Sequence, residues 1–306
     1  MLVVNYGSHA LLREHLAPLV AAAPNAFAVI VDNWTTDEER QAVRGLAAEH
    51  GWHLEAPDTN LGFGAGVNLA VARAQTLGAQ HLLLLNPDAS LEPQALSMLR
   101  REVVRRPRAL ISPVVVRPDG SVFSRGSALE LSTGRMGARH RDTVPGAHRD
   151  PLRVQHWLSG ACLALDVGLW SACGGFDEDY FLYWEDVDLS YRVEAVGGEL
   201  VVLEEVRALH DEGGTSRAEK VSNRARSDTF YYYNIRNRLL FARKHLAPRD
   251  RLRWALMSPM LAREVLLQGG KRQFLRSLRP IRTAARATVD GLLLLVGRRS
   301  AGARHG

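Results

Sequence analysis

The run His81-Leu82-Leu83-Leu84-Leu85, cut off by Asn86-Pro87-Asp88, constrains the fold more tightly than any other segment. Consecutive leucines leave no polar face, so a strand built from them has to be covered on both sides, as happens inside a sheet flanked by helices. Parallel strands reach that arrangement through βαβ crossovers, and residues 1 to 105 alternate accordingly. Leu2 to Asn5 and Ala28 to Asp32 read as buried strands, His53 to Ala56 as a weaker one. Leu11 to Ala23, the stretch from Thr35-Thr36-Asp37 to Glu49, Val67 to Leu77 and Pro93 to Arg105 read as helices; N-cap chemistry opens the second and proline the last. The fold class expected is α/β, Rossmann-like, with a mostly parallel central sheet flanked by helices.

Beyond Ala109 the pattern loosens as far as Arg153, with Pro118-Asp119-Gly120 as a hairpin signal. Order returns with an apolar run over Trp157 to Leu165, helices near Val167 to Ala172 and Glu185 to Val196, and a strand over Leu200 to Leu203. After residue 225 the chain reads as helical, with segments Tyr231 to His245, Arg249 to Gln268 and Arg282 to Leu295. The expected organisation is an α/β domain over residues 1–225, divided near 108/109, and a basic helical region over 226–306. Charge divides in the same place. Residues 1–216 carry 18 Arg against 28 Asp+Glu, and residues 217–306 carry 21 Arg+Lys against 5 acids, so the net +6 conceals an acidic body and a basic tail. In that tail Leu252, Leu256, Met260, Leu261 and Leu292 to Val296 interleave with arginines. The pattern suits amphipathic helices on an anionic membrane surface, and equally helices that pack on the domain or between copies. Nucleic acid fits the charge but explains none of the acidic motifs, so no nucleic-acid partner is expected. Cys162 and Cys173 are too few for a disulfide framework or a four-cysteine zinc site. With no signal-peptide pattern and no apolar stretch of about 18 residues, the expected location is cytoplasmic, peripheral on the inner face of the cell membrane where the tail attaches.

Three acidic sites follow strands, where open α/β sheets gather their ligands. Asp32, in Val31-Asp32-Asn33, suits a hydrogen bond to a base or ribose, or a cap for the next helix. Asp88 in Asn86-Pro87-Asp88 suits a divalent cation bridging phosphates, or a plain strand-ending turn. The third site is Phe181-Leu182-Tyr183-Trp184-Glu185-Asp186-Val187-Asp188, whose carboxylates repel one another and raise at least one proton affinity, as a general base requires. Asp188 also pairs with Arg192 at i,i+4 spacing, which leaves Glu185 and Asp186 as the catalytic candidates. His210, in a loop after the strand Leu200 to Leu203, either completes a metal site with Asp88 or does nothing in particular. Arg217 either pairs a diphosphate through its forked guanidinium or simply begins the basic tail. Gly62, Gly64 and Gly66 approach a dinucleotide fingerprint, but Asn68 stands near the place of a third glycine and the preceding strand is poor. An NAD-type oxidoreductase therefore stays as a rival, alongside a non-catalytic glycan- or membrane-binding module. No nucleophile elbow or Walker loop occurs.

Taken in order, Val3-Val4-Asn5-Tyr6, Val31 to Asp37, Asn60-Leu61-Gly62-Phe63-Gly64-Ala65-Gly66-Val67-Asn68, Leu84 to Asp88, Trp157-Leu158-Ser159-Gly160-Ala161-Cys162 and Gly174-Gly175-Phe176-Asp177 through Leu189 resemble family 2 glycosyltransferases, rhamnosyltransferase-type members most of all. The resemblance spans about residues 1 to 245. It implies a GT-A fold, a nucleotide-diphosphate sugar donor, Mg²⁺ or Mn²⁺, and inversion at the anomeric carbon. Carried over by position, Asn5, Tyr6, Asp32 and Asn60 surround the nucleoside, and the loop of Gly62, Gly64 and Asn68 lets the backbone approach it. Asn86 and Asp88 form an N-x-D version of the D-x-D motif, with Asp88 on the metal and His210 helping to hold metal and diphosphate. Asp186 is the catalytic base beside Glu185, and Trp157, Ser159, Gly160 and Trp184 line the acceptor side. The donor implied is dTDP-L-rhamnose, with a UDP-sugar as the runner-up, and the acceptor a cell-envelope glycan or lipid-linked saccharide.

Overall fold

Strand β1 (Leu2–Asn5) runs parallel between β2 (Val29–Asp32) and β4 (His81–Leu85), and β3 (His53–Glu55) adds parallel to β2. The computed structural model describes residues 1–138, 153–211 and 226–297. The crossovers are α1 (His9–Leu11) and α2 (Ala17–Ala21), joined by a wide π-type turn over Leu12–Leu16, then α3 (Asp37–His50) and α4 (Phe63–Thr76). Thr36 caps α3 by accepting the Glu39 N–H at 3.2 Å. Leu83 and Leu85 enter one core with Leu16, Leu46 and Leu99, whereas Leu82 and Leu84 enter another with Val67, Val71 and Leu169. Alternate leucines thus fill opposite faces of β4, each stabilising the fold by roughly 1.5–3 kcal/mol.

After β4 come β5 (Ala89–Leu91), α5 (Pro93–Arg105), β6 (Ala109–Val116), β7 (Val122–Ser124), β8 (Ser127–Glu130), β9 (Met136–Ala138), β10 (Val154–Trp157) and β11 (Cys162–Asp166). Next are α6 (Val167–Cys173), α7 (Glu185–Ala195) and β12 (Glu199–His210). The main sheet has the order β3-β2-β1-β4-β11-β6-β12-β5, with β7 paired to β6; β10, β8 and β9 form a second small sheet. Strand β11 enters antiparallel to both β4 and β6, which sets the start of β11 beside the end of β4. Cys162 lies opposite Leu85, and the Asn86 N–H reaches the Ala161 carbonyl at 3.0 Å.

Two expectations change. The loosened stretch begins with β6, eight residues long and nearly all buried. Its disguise is Pro113, which cannot donate to a ladder and sits opposite Leu203 where β12 shifts register. Strand β12 itself runs twelve residues instead of ending at Leu203, because beyond the shift it pairs with both β6 and β5. The hairpin at Pro118-Asp119-Gly120 does join β6 to β7.

The basic tail supplies α8 (Asp228–His245), α9 (Pro248–Leu267), α10 (Gln273–Arg276) and α11 (Arg279–Leu295). No helix among the described residues is long and apolar enough to cross a membrane. The tail's inner side is part of the body's core. Leu239, Phe241, Trp254 and Leu294 pack with Leu129, Tyr180, Trp184 and Val187, and the Trp254 indole N–H reaches the Leu131 carbonyl at 2.8 Å. Arg238, almost fully buried, donates to the Thr133 carbonyl at 3.0 Å and stacks 4.5 Å over the Trp254 ring. Body and tail therefore share one core in spite of their opposite charge. Truncation after residue 225 is expected to abolish cooperative unfolding, since it uncovers Tyr180 and Trp184 together; a sharp calorimetric transition in the truncated chain would contradict this.

Candidate active site

The carboxyl ends of β1 and β2 carry Asn5 and Asp32, register partners whose side chains meet. Asn5 Nδ2 donates to Asp32 Oδ1 at 3.3 Å and to Glu39 Oε1 at 3.1 Å, while Arg40 Nε donates to Asp32 Oδ2 at 2.9 Å. Asp32 is 1% exposed and balanced by the Arg40 guanidinium, which also lies 4.8 Å over the Trp34 ring. Tyr6 is more than half exposed at the same edge. Asn60 Oδ1 accepts the Gly62 N–H at 2.9 Å. Asn33 bridges this edge to the glycine loop, accepting the Leu61 N–H at 2.7 Å and donating to the Gly62 carbonyl at 3.0 Å. Asn33, an amide that directly behind Asp32 suits a hydrogen bond to a base or ribose, thus has both side-chain polar atoms engaged by the loop.

The glycines have a different reason from the one expected. Gly62 has φ of +85°, and a Cβ there would lie 2.2 Å from the Phe181 carbonyl oxygen, which the Phe63 N–H reaches at 2.9 Å. A Cβ on Gly64 would press on Phe176 and one on Gly66 on Val4. The loop is glycine-rich so that it can lie against β1 and against the segment that leads into α7. Asn68 pairs with both backbone groups of Phe176, at 2.9 Å each, and with Glu178, so its amide faces that segment. The preceding β3 is a three-residue edge strand, unlike the central strand a dinucleotide fingerprint needs.

Asp88 and His210 do come together. The pairing of β5 with β12 sets Ala89 opposite His210, and the His210 Nε2 stands 3.1 Å from Asp88 Oδ1, both side chains about nine-tenths buried. The His210 Nδ1 has no hydrogen-bond partner among the described residues, and the ring lies 4.8 Å from that of Phe123. No group of three or more His, Cys, Asp or Glu placed to hold a metal ion occurs among the described residues. Carboxylate oxygen and imidazole nitrogen are donors that Mg²⁺ or Mn²⁺ accepts, and a two-donor set fits a cation that shares its remaining positions with phosphate oxygens and water. Asn86 is partly buried beside Ala161, and Arg217 lies outside the described residues.

The three carboxylates of α7 meet three fates. Asp188, fully buried, is hydrogen-bonded to His245 Nε2 at 2.6 Å, accepts from Arg192 Nε at 2.7 Å and forms an ion pair with Arg192 Nη2 at 2.6 Å; against the cost of burial, the His245 hydrogen bond and the Arg192 charge hold its pKa below the usual range. Glu185 is buried with one carboxylate oxygen unpartnered among the described residues, and burial together with the neighbouring Asp186 charge raises its pKa well above the usual value. Asp186 is pushed up to about 6 by desolvation, against the pull of N–H donors from Gly160 to Oδ2 at 3.0 Å and Val187 to Oδ1 at 2.8 Å. Gly160 belongs to the loop that lies beside Asn86, so one short segment touches both the Asp88 turn and the Asp186 carboxylate.

On the expected acceptor side, Trp157 is half-buried with its indole N–H unpartnered among the described residues, and Ser159 Oγ accepts the Ala161 N–H at 3.4 Å. Trp184 lies elsewhere: it is 5% exposed, packed against Phe241 and Trp254. Its ring is core, because the left-handed backbone at φ +74° turns it inward.

The family described as glycosyltransferase like family 2 matches residues 1–228. The N-acetylglucosaminyl-diphospho-decaprenol L-rhamnosyltransferase of Mycobacterium tuberculosis is 28% identical over 291 residues, covering 87% of this chain and 92% of that protein. A mannosyltransferase from Pyrobaculum calidifontis, solved with GDP-mannose and Mn²⁺, superposes with a TM-score of 0.53 at 16% identity, over 94% of this chain and 72% of that one. TarS residues 1–349 from S. aureus give a TM-score of 0.51 at 14% identity, over 96% and 88%. These likenesses establish the GT-A fold.

Proposed function

The chain belongs to glycosyltransferase family 2 and is a transferase, and from that premise we propose that it transfers L-rhamnose from dTDP-L-rhamnose, with inversion, to a polyprenyl-diphosphate-linked saccharide. The M. tuberculosis relative, whose name carries that donor sugar and that acceptor class, supports the choice. The observation that carries the chemistry is the Ser159–Ala161 segment, which ties a half-buried carboxylate of raised proton affinity to the turn bearing Asp88.

In this reading residues 1–108 bind the donor and 109–225 bind the acceptor and carry out the transfer. Tyr6, Asp32 and Asn60 border the nucleoside, with Asn5 and Asn33 holding Asp32 and the loop in place and Gly62 and Gly64 letting that loop lie close against its neighbours. Asp186 takes the proton of the acceptor hydroxyl as its oxygen bonds to the anomeric carbon. The bond from that carbon to the diphosphate oxygen breaks on the opposite face, which inverts the centre. Glu185, kept neutral by burial, spares Asp186 a second negative charge at contact distance. Asp88 and His210 would hold the divalent cation, and Asn86 would adjoin the diphosphate. When bound, such a cation offsets the charge that gathers on the departing nucleoside diphosphate. Trp157, Ser159 and Gly160 border the acceptor.

The tail's partner in this reading is an anionic membrane on the cytoplasmic side, where a lipid-linked acceptor resides. Between residues 265 and 289 there is no acid, and Lys271, Arg272, Arg276 and Arg282 are exposed around Leu275, 88% exposed, and Leu278, 58% exposed. Each basic residue near such a surface contributes about 1 kcal/mol.

Calorimetric titration of dTDP, UDP and GDP is expected to show tightest binding of dTDP, strengthened by Mn²⁺ in the native chain and insensitive to Mn²⁺ in Asp88→Ala; tighter UDP binding would move the donor to a UDP-sugar, and a full Mn²⁺ response in Asp88→Ala would remove Asp88 from the metal. Asp186→Asn is expected to lower kcat by about 10²–10⁴-fold with dTDP affinity retained. Because a base acts only when deprotonated, native activity should rise with pH through about 6 and fall about tenfold per unit below it; a flat profile from pH 5 to 7 would count against Asp186. Leu275→Ser combined with Leu278→Ser should reduce sedimentation with phosphatidylglycerol vesicles, and undiminished sedimentation would defeat the membrane reading.

A further inference from the structure

Tyr183 and Trp184 adopt left-handed backbone in succession, φ +64° and +74°, immediately before Glu185 opens α7. Bulky side chains resist this region, and two consecutive residues in it persist only when something outside the turn imposes them. The imposing group lies in α8, beyond residue 228 where the family match ends. Asn237 is fully buried, and its Nδ2 donates to the Leu182 carbonyl at 2.9 Å and to the Tyr183 carbonyl at 2.8 Å. Its Oδ1 accepts from Arg236 Nη1 at 2.6 Å, and the same guanidinium nitrogen donates to the Asp179 carbonyl at 3.0 Å. The donor at one end and the two carbonyls at the other fix which way round the carboxamide stands. Further along α8, Lys244 pairs with Asp177 and Asp179, and His245 pairs with Asp188. One helix therefore grips the backbone before Asp186 and the side chain two residues after it.

We propose that Asn237 is a positioning residue for the catalytic carboxylate: it holds Leu182–Trp184 in the left-handed turn that directs Asp186 at the Gly160 N–H. The proposal rests on Asp186 as the base. Without the carboxamide, the Leu182 and Tyr183 carbonyls lose their buried donor, the turn relaxes toward right-handed backbone, and the first turn of α7 rotates away from Gly160. Glycine enters the left-handed region at no steric cost, so Tyr183→Gly restores part of the geometry without the clamp.

The experiment uses the full chain as native protein, Asn237→Ala, Asn237→Asp and the double variant Asn237→Ala with Tyr183→Gly. Amide hydrogen exchange across residues 183–187 and at Gly160 is measured together with rhamnose transfer from dTDP-L-rhamnose to a short-chain N-acetylglucosaminyl-diphosphoprenol. In both single variants exchange is expected to accelerate at these amides by at least about tenfold while α4 and β4 keep native protection. The kcat is expected to fall by at least about tenfold with the donor KM within about twofold, and the double variant to recover several-fold over Asn237→Ala. Native exchange in Asn237→Ala would overturn the proposal. So would a loss of kcat matched by donor KM and melting temperature and not recovered by Tyr183→Gly, since that is the behaviour of a packing residue. If native protein transfers nothing with this substrate pair, or Asp186→Asn transfers normally, the donor reading or the base reading fails, and the exchange arm still decides whether Asn237 sets the turn.

Discussion

Three carboxylates in four residues have to be buried at one helix end, and the surrounding structure is arranged around the cost of doing so. An isolated buried carboxylate is expensive, and each here is dealt with differently: Asp188 by an arginine and a histidine partner, Glu185 by a raised proton affinity, and Asp186 by backbone N–H groups. Those solutions draw on distant parts of the chain. The arginine comes from α7 itself, the histidine from α8, and the Gly160 N–H donor from the loop that β11 carries to the end of β4. The arrangement of these carboxylates is accordingly a property of the whole fold, tail included.

The sequence made the parallel half of the sheet legible because its signals are local. Four leucines followed by Asn-Pro-Asp gave the exact span of β4, and Pro93 gave the start of α5. The mixed half was not legible, because there the partners decide: β6 carries Pro113, which reads as a strand breaker until the register shift in β12 is seen opposite it. The far half of β12 likewise exists only through pairing with β5.

For the site, acids and histidine at strand ends were readable as residues, and the meeting of Asp88 with His210 follows from their placement on paired strands. What spacing could not convey is which side chains point inward as supports. Asn68 and Trp184 look like ligand-facing residues in the sequence, yet one pins the Phe176 backbone and the other fills the core beneath α8. Conversely Asn33 and Asn237, ordinary amides in the sequence, tie segments together. The basic tail was legible as amphipathic, but its charge drew attention to the outer face while its inner face sets Phe241 and Trp254 in the core beneath α7.

The contact of Gly62 with Phe181 has a consequence for how such enzymes can diversify. The Gly62 carbonyl in the glycine loop is held by Asn33, and the next N–H, that of Phe63, is held by the carbonyl of Phe181, five residues ahead of Asp186. Glycine loop and acidic segment are thus one interlocking part, shaped to each other at the scale of a single methyl group. A chimera that exchanges residues 60–68 for those of a relative inherits a mismatch unless residues 176–186 travel with them, so the two segments of this scaffold change as a unit.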